Sequence, residues 1–286
     1  MRRALVLAAT AACYHPSPPA GAPCASDGSC PPPLHCSARN TCELTDVDAP
    51  PRHDDAALDS FVSGADAMPD AQHLPIAWKA TTTQTIPASP GALLVTLAEP
   101  DSAAGDVMVA VIAMGNTGQA AAPVFTAPAG WTAIEQTNKD NDSALAVYWH
   151  VVDANEPTTV TWSFNEVMEG VAWISVYANV STTTPIDAHD QRLIANVGPS
   201  YSVQSLVTSR ARTMLVATYA VHGSTAPTWT FPAGTQKRAE LDNATTRRGV
   251  GVDKLLDAAG ATPIETLTAS AAQDYALVDV LALRPQ

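Results

Sequence analysis

The chain has 286 residues, 46% of them apolar and only 15% charged, with a formal net charge of −13. Such a balance repels nucleic acid and anionic headgroups, so polyanionic partners are excluded. Abundant Ala, Thr, Val and Pro suit many short strands and turns better than long helices.

Met1-Arg2-Arg3 is a basic start, and Ala4–Ala12 is an apolar run of nine residues ending in small side chains. A bilayer span takes roughly 20 residues, so residues 1–12 read as an export signal and not as a transmembrane anchor. "TAAC" at 10–13 resembles a bacterial lipobox, with Thr10 where Leu is usual. The resemblance implies lipidation of Cys13 and a place in the bacterial envelope or on the outer surface, with plain secretion as the alternative. All five cysteines fall in the first 42 residues, at 13, 24, 30, 36 and 42. If Cys13 carries lipid, the other four form two disulfides, since an odd count leaves one thiol needing another fate. Their even spacing lacks the close pairs of a zinc site, which makes His35 a loop residue. Residues 13–42 resemble the short cysteine-rich modules that follow the lipobox in some bacterial surface lipoproteins. Of three connectivities, Cys24–Cys36 with Cys30–Cys42 is favoured. From 43 to 76 the chain is acidic and punctuated by prolines, without a sustained apolar period, which predicts a disordered stalk.

After Ile76 the vocabulary changes. "ALLVTL" (92–97), "DVMVAVIAM" (106–114), "SALAVYWHVV" (143–152), "TTVTWSF" (158–164) and "GVAWISVYANV" (170–180) are β-rich runs separated by turn residues. In "TVTWSF" the apolar residues alternate, as in a half-buried strand. "VMVAVIAM" and "GVAWISVYA" are apolar on both phases, which predicts central strands covered on both faces or at a domain contact. Sliding the chain by 104 positions brings Pro123, Thr126, Pro128, Ala129 and Gly130 onto Pro227, Thr230, Pro232, Ala233 and Gly234. Ala172, Val176 and Ala178 then fall on Ala276, Val280 and Ala282, and with a short insertion "VMVAVIAMGN" falls on "MLVATYAVHG". The region 77–286 therefore reads as a duplication, with halves of about 92–180 and 201–284 and a crossover at 181–200. The fold expected is all-β, a two-layer antiparallel jelly-roll-like sandwich built from both halves, or else two small sandwiches in tandem. "GDVMVAVIA", "APAGWTAI" and "STTTPIDA" resemble a β-sandwich module of bacterial surface proteins and phage tail-associated proteins. That resemblance implies an extracellular binding or display module, with glycan as the usual ligand, and it carries over no catalytic residue.

Chemistry-bearing motifs are sparse. There is no nucleophile elbow, phosphate loop or His-Glu-x-x-His. Trp162 lies on a core phase, and the candidate ligand-binding rings are Tyr148, Trp229 and Trp131, the last placed to plug the sandwich end. Asp140 and Asp142 in "NKDND" and Asp187, His189 and Asp190 in "DAHDQR" offer clustered metal ligands. They lack the alternation of a dedicated calcium loop, so no metal is assigned and calcium is the one ion they suggest. The leading expectation is a lipid-anchored surface module that binds glycan or another surface protein, without catalysis. One rival is an exported glycan hydrolase using Asp153 with Glu156, or Glu166 with Glu169. Another is a structural envelope lipoprotein without a small ligand.

Overall fold

The computed structural model describes residues 24–27, 29–30, 34–36, 40–44, 74–118 and 120–286. The export signal, Cys13 and most of the acidic stretch lie outside the described residues. The chain divides into two units, Met1–Ala67 and Met68–Gln286. In the first, β1 (Leu34–Cys36) and β2 (Cys42–Leu44) pair antiparallel with Cys36 opposite Cys42. Disulfides join Cys24 to Cys36 and Cys30 to Cys42, the favoured connectivity. Closing loops of this size removes unfolded-chain entropy worth roughly 3 kcal/mol each, in place of a core that so short a segment cannot build.

The second unit contains no helix among its described residues. Its first half holds β3 (Ala77–Ile86), β4 (Ala92–Ala98), β5 (Val107–Asn116), β6 (Phe125–Thr126), β7 (Thr132–Lys139), β8 (Ser143–Val151) and β9 (Thr159–Ala178). Its second half holds β10 (Ile186–Ile194), β11 (Gly198–Ser202), β12 (Val207–Thr208), β13 (Thr213–His222), β14 (Trp229–Thr230), β15 (Gln236–Asp242), β16 (Arg247–Leu256), β17 (Gly260–Ala261), β18 (Thr266–Gln273) and β19 (Tyr275–Leu283). In the first half a large sheet runs β3-β9-β5-β8-β7, and β4 and β6 pair with the early part of β9 as a thin second layer. In the second half the large sheet runs β10-β19-β13-β16-β15, the thin layer β11-β18-β14, and β12 pairs with β17.

The two runs expected at 158–164 and 170–180 are one strand of 20 residues, β9. It passes from the thin layer into the large sheet at Gly170, where φ is +147° and a Cβ would stand 2.3 Å from the Ala113 carbonyl oxygen. Each thin layer encloses a core with its own large sheet. Met108, Ile112, Trp162 and Ile174 fill the first, and Tyr201, Leu215, Tyr219 and Leu267 fill the second. A third core, with Val109, Val111, Trp173, Met214, Val216 and Leu277, lies between the two large sheets. The antiparallel all-β fold from two repeated halves is thus present, layered as two small sandwiches back to back. The strands apolar on both phases are the doubly covered ones: every residue of β5 and of β19 is buried.

The duplication reaches further than the sequence match. The stretch 181–200 is not a bare crossover, because it contains β10, the counterpart of β3: each is the edge strand beside β9 or β19. The last strand also needs a new register. Ala110 pairs with Tyr148 and Ile174, while Ala217 pairs with Val252 and Val280. Val280 therefore corresponds to Ile174 and not to Val176, two residues away on the same face.

The repeated Pro-Ala-Gly is the same turn twice. Gly130 and Gly234 have φ of +85° and +78°, a region that glycine enters without a Cβ penalty. Each turn is tied down from the neighbouring strand. His150 bridges the Gly130 carbonyl and Glu156 Oε2 at 2.9 Å each. Lys254, its counterpart, bridges the Ala233 carbonyl and Glu265 Oε1 at 3.1 Å each.

Candidate functional site

The large sheets meet along two edges, β7 with β10 and β15 with β3. These seams are built from matching irregularities. β7 carries a bulge between Ala133 and Glu135, and β15 carries the same bulge between Lys237 and Ala239. β3 is bulged between Trp78 and Ala80, and β10 between Ile186 and Ala188. A bulge bends the strand and re-aims a side chain, and here it sends Ile134 and Arg238 toward equivalent places.

The side chains at those places differ. At the β15/β3 seam Arg238 Nε donates to Asp253 Oδ2 at 2.6 Å and its guanidinium lies 4.3 Å from the centre of the Trp78 ring. Trp78 is fixed in turn by its Nε1–H on Thr81 Oγ1 at 2.9 Å. That seam is closed. At the β7/β10 seam the counterparts of Arg238, Asp253 and Trp78 are Ile134, Trp149 and Ile186. With Ala133, Ala188 and His189 they line an open groove of about 390 Å³. His189 Nδ1 stands 3.8 Å from Glu135 Oε2 at its lip, both side chains 39% exposed. Trp149 is half-buried. It is also the one tryptophan of six that is not packed into any of the three cores. An apolar floor with one available ring and a hydrogen-bonding lip suits a small amphipathic ligand.

A second polar cluster joins the halves but leaves no room for a ligand. Arg247 on β16 is 7% exposed. Its Nη2 donates to Asp142 Oδ1 at 2.8 Å and its Nη1 to Ser143 Oγ at 3.1 Å and to the Tyr275 hydroxyl. Glu169 lies 3.9 Å from its Nε and accepts from Asn243 Nδ2 and Thr245 Oγ1 at 2.9 Å each. The guanidinium lies over Gly115, where a Cβ would fall 2.3 Å from Nε. Burial pushes the Asp142 carboxyl up, but hydrogen bonds from Arg247 and Tyr275 hold it below its usual range. Burial pushes the Tyr275 phenol to about 12. The adjoining cavity is about 20 Å³, space for about one water. This is a clasp between the halves.

The structure redistributes the residues singled out from sequence. Tyr148 is not an exposed ring: it is 4% exposed, 5.9 Å from Trp162 in the first core, and burial raises its phenol to about 12. Trp131 plugs the end of that sandwich, 5.0 Å from Trp162 and stacked 5.3 Å from His150. Trp229 on β14 is half-buried against the second core. Asp140 is exposed beside Lys139, and Asp142 belongs to the clasp. Asp187 accepts from Ser209 and from Arg284 Nη2 at 2.7 Å. Burial raises its carboxyl, and those bonds bring it below its usual range. Asp187 and His189 both border the groove, Asp187 held by Ser209 and Arg284 and His189 with an exposed side chain, and Asp190 lies on the opposite face of β10. Among the described residues, the one set of His, Cys, Asp or Glu atoms close enough to hold a metal is Cys24, Cys30 and Cys36, which disulfides occupy.

The acidic pairs are likewise placed. Glu156 is committed to His150 and to the Asp153 amide, and Glu169 to the clasp. Trp149, Ile134 and Ile186 are groove residues that the sequence reading passed over. A signal for Trp149 was present, since the shift by 104 puts it on Asp253 while Tyr148 falls on Val252. Compared with known proteins, the chain matches no family model, no curated protein and no solved structure.

Proposed function

We propose that this chain is a surface-displayed binding module that takes a glycan in the β7/β10 seam. The observation that carries the reading is the contrast between the seams: one is sealed by Arg238, Asp253 and Trp78, and its twin is left open over an unpacked Trp149. Sugar rings present an apolar face that lies on an aromatic ring and hydroxyls that pair with groups such as His189 and Glu135. Glycan arrays with the purified chain test it. Trp149→Ala is expected to weaken binding at least tenfold. Ile134→Arg combined with Trp149→Asp, which writes the closed seam into the open one, is expected to abolish it. Trp229→Ala should leave it intact. Undiminished binding by Trp149→Ala, or no glycan retained by the unmodified chain, would refute the reading.

Display at the surface rests on the lipobox-like "TAAC". Cys13→Ala is expected to move the protein from the membrane fraction to the soluble fraction. Mass spectrometry finding an unmodified Cys13 in membrane-bound protein would sink the anchor.

A further inference from the structure

The two seams differ in charge as well as in opening. In the closed one the chain supplies its own cation. The Arg238 guanidinium lies 4.3 Å from the centre of the Trp78 ring, and its Nε donates to Asp253 Oδ2 at 2.6 Å. Ring and carboxylate hold it from two sides, one by attraction to the ring face and the other by a charge-assisted hydrogen bond. The next residue on β15, Ala239, is buried and carries no charge.

The open seam has a ring and a carboxylate but lacks the cation. Ile134 stands where Arg238 does, and Glu135 stands where Ala239 does, since the bulges fall between Ala133 and Glu135 and between Lys237 and Ala239. Glu135 pairs with Val147, two residues from Trp149 and so on the same face of the sheet. Its ion pairing among the described residues is limited to His189 Nδ1 at 3.8 Å, longer than a hydrogen bond. Asp187, also on the groove, is balanced by Arg284 at 2.7 Å. Asp190 lies on the far face of β10. No lysine or arginine is among the described residues that line the groove. Glu135 therefore stands at the lip as a carboxylate that the chain does not neutralise with a lysine or arginine.

We propose that the ligand supplies the missing cation: the groove takes a glycan bearing free amino groups, with a sugar face on Trp149 and an ammonium beside Glu135. This rests on the glycan reading above and narrows it to a substrate class. A neutral or N-acetylated sugar lies on the ring as well, but it offers Glu135 only neutral donors. Those make weaker hydrogen bonds than an ammonium does.

Calorimetry on the full chain at pH 6.5 and low ionic strength tests it, with β-1,4-linked hexamers of glucosamine, N-acetylglucosamine and glucose. The glucosamine hexamer is expected to bind at least tenfold more tightly than the other two, with a preference that shrinks as salt rises. Glu135→Gln is expected to cut that preference at least fivefold with unchanged thermal unfolding. Glu135→Asp, which keeps the charge, should retain more of it. A chain with a net charge of −13 attracts any polycation, so Asp257→Asn, on the exposed turn after β16, is the control and should leave the preference intact. Equal affinity for the three hexamers, or a preference that survives Glu135→Gln, would overturn the amino-sugar assignment and leave the glycan groove standing. Binding of an oligolysine peptide with no hexamer retained would also overturn it, and the glycan array then decides the broader reading separately.

Discussion

Trp173→Ala is expected to lower the stability of the β unit by roughly 3–5 kcal/mol, the range for deleting a buried tryptophan. Trp173 is 2% exposed, on β9 of the first half, yet its ring lies on the second half. A Cβ at Gly249 would meet the ring at 2.7 Å, and one at Gly251 at 3.1 Å. The alternation "GVGV" at 249–252 is therefore a flat seat facing the first half, with Val250 and Val252 turned into the second core. Gly249→Val approaches the same contact from the other side and is expected to destabilise comparably. For a unit of this size the loss corresponds to a fall of roughly 6–20 °C in Tm. Because the ring links the halves, both variants should lower one cooperative transition. A loss under about 1 kcal/mol, or calorimetry resolving two transitions of which Trp173→Ala moves only one, would overturn this account of the third core.

Much of the fold could be read from the sequence because its signals are local. Strand runs alternate with turn residues, and the Pro-Ala-Gly turn repeats with a positive φ at Gly130 and at Gly234. The double cover of β5 and β19 follows from their being apolar on both phases. Edge strands were harder. "AWKATTTQTI" and "IDAHDQRLI" bury one face at most and mix polar residues into both phases, so β3 and β10 give no clean period of two. Their omission shortened both halves and turned β10 into a crossover.

The candidate site was less legible for a related reason. In "SALAVYWHVV" neither phase is polar, so alternation cannot say which of Tyr148 and Trp149 is free. Position decides it: Tyr148 points into the enclosed first core, and Trp149 reaches the seam where the large sheets part. The groove also depends on the bulges at Ile134 and Asp187, and a bulge shifts facing without altering composition. The difference between Ile134 with Trp149 and Arg238 with Asp253 is visible in the sequence. Its meaning requires knowing that those positions share a seam.

Asp279→Asn is expected to stabilise the chain above neutral pH, by an amount that grows as pH rises. Asp279 occupies on β19 the place that Trp173 occupies on β9, since Thr218 pairs with Asp279 as Val111 pairs with Trp173. The positions corresponding to Gly249 and Gly251 are Leu145 and Val147, so this side of the third core pairs bulky residues with a small carboxyl where the other pairs a large ring with glycines. Asp279 is 1% exposed, and neither of its oxygens nor the amide of its cross-strand neighbour Gln191 has a hydrogen-bond partner among the described residues. Burial holds the carboxyl protonated well above the usual range, and the charges of Glu135 and Asp190 reinforce the shift. The unfolded chain releases that proton near pH 3.9, so the folded state binds more protons above that value. Stability from this group is then full at low pH and lost as pH rises toward its folded pKa, by about 1.4 kcal/mol per pH unit. Asp142 and Asp187, held below their usual range, act oppositely and lose stability only in acid. The difference between Asp279→Asn and the unmodified chain cancels their contribution. Unfolding titrations at pH 5 and pH 8 should show the variant gaining most at pH 8, because its amide stays neutral throughout. A pH-independent difference, or a variant less stable than the unmodified chain at pH 8, would show that Asp279 is ionised and paired in the folded state.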